Sequence, residues 1–281
     1  MRKIDWRAFA YTHKRLIAAA CAVCLTVAAL CALGGRGGTV ASATQAAQSS
    51  LPVINVGCDD YAPFNYTDLN GNITGIDVEL AEEAFGRMGY QPEFHLINWE
   101  EKQQLLANGT IDCVWGSFSM NGREDEYKWA GPYMQSYQVV AVNVDSDIYT
   151  FADLEGKTIA VQSTTKPEEM LRAGDSRIPQ LHKVLSVQKH DLIFILLSKG
   201  YVDALAAHDT SVEQFMSESG LKFRVLDEPL QTVGLGVAFD KDDTRGLDTR
   251  LGEIIKEMRA DGTVRNVLAK YLSDPDRYLE G

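Results

Sequence analysis

Short apolar runs typical of buried strands alternate with helical patterns along most of this sequence. Residues 53–57, 93–97 and 111–115 are the first three such runs. Between the first two, apolar residues recur at helical spacing over 76–88, and the pattern stops at Gly89. This alternation predicts βαβ units with a mainly parallel sheet and right-handed crossovers. The first part of the chain is therefore predicted to fold as one Rossmann-like α/β half.

A second set of elements begins after Pro132. Its predicted helices cover residues 189–199, 246–260 and 263–272. The chain of 281 residues therefore suits two α/β domains of modest size, or one large domain. The predicted strands of this second set cover residues 138–144, 158–162, 204–207 and 233–239.

The first 43 residues are predicted to be an export segment rather than part of the fold. A basic stretch through Arg15 precedes an apolar run at 16–33 and a triplet of small residues at 41–43. This order is typical of a secretory signal that is cleaved after residue 43. The apolar run is also just long enough for an uncleaved membrane anchor, and a lipid-modified cysteine is the third alternative. Each alternative places residues 44–281, which begin with a polar linker at 44–50, outside the cytoplasmic membrane.

Charge and cysteine content exclude several functional classes. The formal net charge of −12 at pH 7 argues against binding to the phosphate backbone of nucleic acids. Only Cys58 and Cys113 lie beyond the export segment, which excludes a disulfide framework but leaves open one bridge or two buried free thiols. The same part of the sequence has no HExxH motif, no GxSxG motif and no metal-ligand cluster. No cofactor or metal is therefore expected.

The third predicted strand ends in small polar residues that precede an arginine. Ser117 and Ser119 follow the apolar run, and Arg123 lies four residues further on. Ligands of α/β sheets bind at the carboxyl ends of strands, and a guanidinium there can clamp a carboxylate through two parallel hydrogen bonds. The alternative is a surface arginine in a salt bridge with Glu124 or Asp125. These residues alone leave both interpretations open.

Asp77 lies at the start of the helical pattern over 76–88, two residues after Gly75. A carboxylate in that position accepts hydrogen bonds from the free N–H groups of the first helical turn. Asp77 is therefore predicted to cap the helix rather than to bind a ligand.

Several short segments occur in an order that is typical of one family. The segments are YAPF at 61–64, GIDVEL at 75–80, LLANGTID at 105–112, Arg123, GPY at 131–133, DLEGKTIAVQSTT at 153–165, AAHDT at 206–210 and ADGT at 260–263. Together they resemble the bacterial extracellular solute-binding proteins of family 3, the polar-amino-acid-binding proteins of ATP-driven importers. The resemblance covers nearly all of residues 51–272.

The resemblance implies an α/β fold of two Rossmann-like lobes joined by two hinge strands, the type II periplasmic-binding-protein fold. Lobe one would consist of residues 51–137 plus 233–281, and lobe two of residues 138–232. The ligand would bind in the cleft between the lobes. The resemblance also implies an exported or cell-surface monomer with two partners, an amino-acid ligand and the membrane permease of an ABC importer.

The resemblance assigns roles to several polar residues. Arg123 matches the arginine that pairs with the α-carboxylate of the ligand. The backbone N–H groups near Ser117 and Thr165, and the hydroxyls of Ser119 and Thr165, would supply further donors. Asp209 matches the acidic residue of lobe two that accepts the α-ammonium group, and the alternative for Asp209 is an N-cap of the helix that follows.

Aromatic and rim residues complete the site that the resemblance implies. Tyr61 and Trp99 match rings that pack on the ligand, although a place in the core is the alternative for each. Gln162 and Lys166 match positions at the rim. His208 is expected to be a structural neighbour of Asp209 rather than a ligand contact.

Two departures from the family pattern affect this assignment. Relatives often carry an acidic residue after the first strand, where this chain has Cys58, so that role is absent or passes to Asp59 or Asp60. The segment from Asp112 to Arg123 is also one residue shorter than the family pattern. The shortening is placed in the turn at 121–122, and an earlier position would put Phe118 in the place of Ser119.

Three functions are compatible with these features. The favoured one is a binding protein that delivers a free amino acid to a permease and closes like a hinge. The second is an enzyme, because dehydratases that act on prephenate-like acids share the fold that the resemblance implies, and Asp209 is the candidate acid or base. The third is a sensor module that signals through a partner receptor.

Overall fold

Strands of both orientations form one large sheet in this computed structural model, which describes residues 51–280. The predictions for residues 1–43 and 44–50 lie outside the described residues. Nine strands join the sheet in the order β4-β1-β5-β11-β6-β9-β7-β8, with β10 paired to β6, and β2 and β3 form a separate hairpin. The strands are β1 (Val53–Cys58), β2 (Tyr66–Thr67), β3 (Ile73–Thr74), β4 (Gln91–Leu96), β5 (Cys113–Ser119), β6 (Tyr127–Asn143), β7 (Thr158–Gln162), β8 (Lys183–Val187), β9 (Ala204–His208), β10 (Phe223–Val225) and β11 (Gln231–Asp240).

Seven α-helices occur in the described part of the chain. Among the described residues, each helix is too short or too polar to cross a membrane. Three short 3-10 helices cover Trp99–Glu101, Phe151–Leu154 and Asp276–Tyr278. The α-helices are α1 (Ile76–Met88), α2 (Lys102–Ala107), α3 (Lys166–Ala173), α4 (Asp191–Ser198), α5 (Asp209–Ser219), α6 (Leu247–Ala260) and α7 (Thr263–Tyr271).

Two long antiparallel strands, β6 and β11, connect two parallel groups of strands. β11 pairs with β5, which leads to β1 and β4, whereas β6 pairs with β9, which leads to β7 and β8. Within the groups, β1 pairs with β4 and β5 in parallel, and β7 pairs with β8 and β9 in parallel. The predicted α/β class with two connecting strands is confirmed, although the complete sheet is mixed rather than mainly parallel.

Strand β6 begins at Tyr127, well before the predicted start at residue 138. Gly131 and Pro132 favour a turn in the sequence, because proline cannot donate to a sheet ladder. The structure accommodates them at an irregularity, since the pairing of β6 with β11 shifts register between Leu235 and Val237. A strand that contains proline is tolerated at such a position.

Buried apolar side chains form separate clusters in different parts of the chain. Two clusters contain residues from 54–134 and 233–278, and the other two contain residues from 139–230. This division runs close to the predicted lobe boundaries, which themselves stay a prediction. Cys58 and Cys113 are buried free thiols, so the described fold rests on these clusters rather than on a bridge between the two cysteines.

The predicted capping role of Asp77 is wrong. Gly75 is the N-cap of α1, and no side chain makes a capping hydrogen bond there. Asp77 is fully buried, and its Oδ2 accepts hydrogen bonds from the backbone N–H of Ser117 (2.7 Å) and from Nδ2 of Asn65 (3.3 Å). Asp77 therefore ties the start of α1 to the end of β5. Burial raises the pKa of this carboxyl to about 6.

Candidate ligand-binding cavity

A cavity at the carboxyl ends of β1, β5, β7 and β9 collects most of the predicted site residues. This is the edge of an α/β sheet at which ligands bind. Its volume is about 30 Å³, which is room for roughly two water molecules. Of the eight predicted binding residues, only Asp209 does not line it. The seven that do are Tyr61, Trp99, Ser117, Ser119, Arg123, Gln162 and Thr165.

Arg123 is buried and faces this cavity, with 8 % of its surface exposed. Its Nη1 donates to the backbone oxygen of Ser119 (3.3 Å), and its guanidinium lies 5.2 Å from the ring centre of Phe118. The ion-pair partner is Glu169 of α3, whose Oε2 is 3.4 Å from Nη2, and not Glu124 or Asp125. The interpretation as a surface salt bridge with the adjacent acidic residues is therefore wrong.

Glu169 also binds a second buried cation. Its Oε1 accepts a hydrogen bond from Nζ of Lys166 at 2.6 Å, while its side chain remains 49 % exposed. Lys166 lines the cavity and is as buried as Arg123. One half-exposed carboxylate thus pairs with two buried cations. Cations of this kind can form charge-assisted hydrogen bonds with a carboxylate.

Two of the predicted hydrogen-bond donors already have partners within the protein. The backbone N–H of Ser117, a residue with the positive φ of 46°, donates to Asp77. The N–H of Ser117 itself is therefore not available to a ligand, and the role of the other backbone N–H groups near Ser117 stays a prediction. The hydroxyl of Thr165 donates to the backbone oxygen of Gln162 at 2.6 Å, in the turn that precedes α3.

Asp209 lies outside the cavity, which corrects its predicted position opposite Arg123. Its Oδ2 accepts a hydrogen bond from the hydroxyl of Tyr278 (3.0 Å) and lies 3.4 Å from Nη2 of Arg277. Successive residues at the end of a strand point to opposite faces, and His208, the last residue of β9, faces the cavity. The N-cap alternative is also wrong, because α5 begins at Asp209 itself and its N-cap is His208.

Two buried histidines form part of the cavity wall. Nδ1 of His208 is 2.8 Å from Oγ of Ser136, and the ring of His190 stacks on Tyr61 with 3.5 Å between ring centres. Burial lowers the pKa of His208 to about 4 and lowers that of His190 well below its ordinary value. Both rings are therefore neutral at pH 7. His208, which is expected from the sequence to be a structural neighbour of Asp209, also lines the cavity.

Trp99 lines the cavity and also belongs to an apolar cluster, and its contact with a ligand stays a prediction. Its ring lies 4.8 Å from Nζ of Lys102, which is also 2.9 Å from Oγ1 of Thr164. Burial lowers the pKa of Lys102 to about 8. Lys102 thus joins the segment after β4 to the turn after β7, across the mouth of the cavity.

Sequence reasoning missed other cavity residues. Gln138 lies in β6, Thr164 in the turn after β7, and His190 directly before α4. Thr164 belongs to the family segment at 153–165, whereas Gln138 and His190 belong to no local pattern that indicates a site. Only the order of the strands in the sheet brings these separate segments together.

Comparison with known proteins places the chain in a family. The sequence matches the bacterial extracellular solute-binding proteins, family 3, over residues 54–274. The histidine-binding periplasmic protein of Salmonella typhimurium is 30% identical over 241 residues, which cover 82% of this chain and 92% of that protein.

Two solved structures share the fold. One is the substrate-binding protein of an amino acid ABC transporter, with a TM-score of 0.70, 27% identity, and coverage of 78% of this chain and 99% of that one. The other is an ancestral amino-acid-binding protein described as a precursor of cyclohexadienyl dehydratase, with a TM-score of 0.69, 27% identity, and coverage of 78% and 95%. With a family match over nearly all of the described residues, this chain belongs to the bacterial extracellular solute-binding proteins, family 3.

Proposed function

We propose that this protein binds a free amino acid in the cavity, outside the cytoplasmic membrane, and delivers it to the permease of an ABC importer. The observation that carries the proposal is the buried guanidinium of Arg123, which faces the cavity. Within residues 51–280, its only ionic partner is the half-exposed Glu169. A ligand carboxylate can replace Glu169 there and form charge-assisted hydrogen bonds. The amino-acid-binding relatives support the same ligand class.

The small size of the cavity bears on how a ligand enters. A space of about 30 Å³ is too small for an amino acid, so the walls must separate before binding. The contacts that close it include polar pairs, such as Lys102 with Thr164 and Nε2 of Gln188 with Oε2 of Glu100 at 2.7 Å. The stacked rings of Tyr61 and His190 also join the two sides. Strands β6 and β11 run between the two parallel groups and serve as the hinge. A ligand that touches both groups favours the closed state.

Calorimetric titration of the purified exported protein with each of the twenty common L-amino acids tests the proposal. We expect at least one to bind with a dissociation constant in the micromolar range or below. Absence of binding with all twenty contradicts the proposal. Uptake of the ligand by cells that lack this protein then tests delivery, and uptake should fall in those cells.

The same fold occurs in a precursor of a dehydratase, so catalysis needs a test of its own. We propose binding without catalysis. Asp209, the candidate acid or base, is held by Tyr278 and Arg277 outside the cavity, and Asp59, the carboxylate that does line it, is hydrogen-bonded to Asp60 and Gln162. Incubation of the protein with prephenate should yield no dehydration product. Product formation above the uncatalysed rate contradicts this part of the proposal.

Replacement of Glu169 by glutamine is expected to tighten amino-acid binding about 2- to 5-fold. Glu169 competes with the ligand carboxylate for Arg123, and an ion pair with an exposed member is worth roughly 0.2–1 kcal/mol. Titration calorimetry on both proteins measures the change. Glu257→Gln, which makes the same charge change on the exposed face of α6, is the control and should leave affinity unchanged. Weaker binding in Glu169→Gln would show that Glu169 does not compete.

A further inference from the structure

Asp59 is the acidic residue that lines the cavity. No other lining residue among those described is acidic, whereas two, Arg123 and Lys166, are cationic. Oδ1 of Asp59 accepts a hydrogen bond from the backbone N–H of Asp60 at 2.9 Å, and its Oδ2 accepts one from Nε2 of Gln162. Neither partner carries a positive charge. Burial raises the pKa of Asp59 to about 6, as expected for a carboxylate without a cation in contact.

Gln162 leaves a second acceptor beside this carboxylate. Its Nε2 donates to Asp59 and also to the backbone oxygen of Gln188 at 3.1 Å, which uses both amide hydrogens. The amide cannot be reversed, because its oxygen would then face a carboxylate and a carbonyl. Oε1 of Gln162 is therefore an acceptor, and it is buried without a hydrogen-bond partner among the described residues. Such a group needs a donor from elsewhere.

An α-ammonium group has three N–H donors and one positive charge. A buried ammonium without a compensating anion is strongly unfavourable. Asp209 cannot supply that anion, because its carboxylate is turned to Tyr278 and Arg277. The two buried histidines do not supply it either, because their rings are neutral. Asp59 and the free oxygen of Gln162 provide both the charge and the acceptors that an ammonium requires.

We infer that Asp59, assisted by Oε1 of Gln162, holds the α-ammonium group of the ligand, and that the cavity selects neutral or acidic amino acids over basic ones. This inference rests on the proposed function, since it names the ligand class of the same site. Asp59 follows β1 and Gln162 ends β7, so the ammonium also joins the two parallel groups of strands. The carboxylate at Arg123 and the ammonium at Asp59 together fix the polar end of the ligand.

The selectivity follows from the balance of charge. Two cations and one acid line the cavity among the described residues. Once Asp59 is paired with the α-ammonium, a lysine or arginine side chain would face Arg123 and Lys166 with no anion of its own. Like charges in a cavity with little water repel strongly. A neutral or acidic side chain avoids this cost.

The affinity is expected to depend on pH through Asp59. Only the ionised carboxylate attracts an ammonium, so binding should weaken about 10-fold from pH 7 to pH 5, one unit below the pKa of about 6. The buried histidines stay neutral over this range, and Asp77 titrates near the same pH. Asp59→Asn separates these groups, because Asp77 still titrates in that variant. The charged and titratable groups that face Asp59 are Cys58, Asp60, Tyr61, Lys102 and Asp191.

The experiment compares two ligands in three proteins. The ligands are the tightest of the twenty L-amino acids and the carboxylic acid that lacks only its α-amino group. The proteins are the wild type, Asp59→Asn and, as a matched control, Asp209→Asn. We expect the wild type to prefer the amino acid at least 100-fold. Asp59→Asn should lower that preference at least 30-fold and abolish the pH dependence, whereas Asp209→Asn should change it less than 3-fold.

Each outcome decides a separate question. Loss of the preference in Asp209→Asn but not in Asp59→Asn overturns the assignment of Asp59. Tightest binding of arginine or lysine overturns the selectivity while the proposed function stands. Absence of binding with all twenty amino acids overturns the proposed function itself. Should Asp59→Asn fail to fold, as judged by its thermal unfolding, the wild-type preference for the amino acid over the acid without the α-amino group is compared at pH 5 and pH 7. Asp77 affects both ligands alike, so a preference that falls at pH 5 supports the assignment, and equal preferences overturn it.

Discussion

Replacement of Arg123 by alanine is expected to weaken amino-acid binding at least 100-fold. The guanidinium is buried at the cavity, so its removal takes away the planar donor pair that holds the ligand carboxylate and leaves only the more distant charge of Lys166. Loss of one partner of a buried charge pair costs roughly 2–5 kcal/mol. A factor of 100 corresponds to about 2.8 kcal/mol, which lies within that range. Titration calorimetry with the ligand found in the amino-acid screen measures the loss.

Two further variants show whether the effect comes from Arg123 itself. Arg123→Lys keeps the positive charge but loses the planar donor pair, so an intermediate loss of about 10-fold is expected. Arg87→Ala removes an arginine from an ion pair with Glu83 and Asp261, remote from the cavity, and should change affinity less than 2-fold. Arg123→Ala with wild-type affinity would mean that the carboxylate binds elsewhere, and Lys166 is the cation to test next.

Much of the fold could be predicted because its elements carry local signals. Strand β7 has the predicted bounds, 158–162, and α6 begins and ends within one residue of the prediction. Both have clear apolar periodicity and flanking turn residues. Strand β8 and strand β10 were not predicted. Lys183–Val187 and Phe223–Val225 are short and only partly buried, so their patterns are weak.

The cavity was harder to predict, because a site depends on the direction of side chains as well as on their order. The prediction identified the correct segment, but it placed Asp209 in the cavity instead of its neighbour His208. A shift of one residue at the end of a strand moves a side chain to the opposite face. His208 therefore lies in the wall while Asp209 lies behind it. Sequence order alone does not determine that register.

Asp77 illustrates a different failure. Its position before a helical pattern fits a cap, which is a contact between near neighbours in the sequence. In the structure, the carboxylate accepts a hydrogen bond from Ser117, forty residues away. A long-range contact of this kind has no local signal.

Asp77→Ala is expected to be about 3 kcal/mol less stable than Asp77→Asn. Both variants remove the buried charge, but only asparagine keeps an oxygen that can accept the hydrogen bond from the backbone N–H of Ser117. An orphaned buried N–H costs roughly 1–3 kcal/mol, and the void left by alanine adds to this. Urea unfolding of both variants measures the difference. Equal stabilities would mean that the contact with Ser117 contributes nothing to the fold.

The pH dependence of the free energy of unfolding tests whether the buried Asp77 carboxyl is ionised at pH 7. Burial raises its pKa from 3.8 to about 6 in the folded protein. A group whose pKa is higher when folded binds more protons in that state, so its contribution to stability falls as the pH rises from about 4 to 6. At pH 7 this raised pKa lowers the free energy of unfolding by about 3 kcal/mol. Asp77→Asn lacks this cost, so its stability relative to the wild type should rise between pH 4 and pH 7. A difference between the two proteins that stays constant over this range would show that Asp77 does not carry a buried charge.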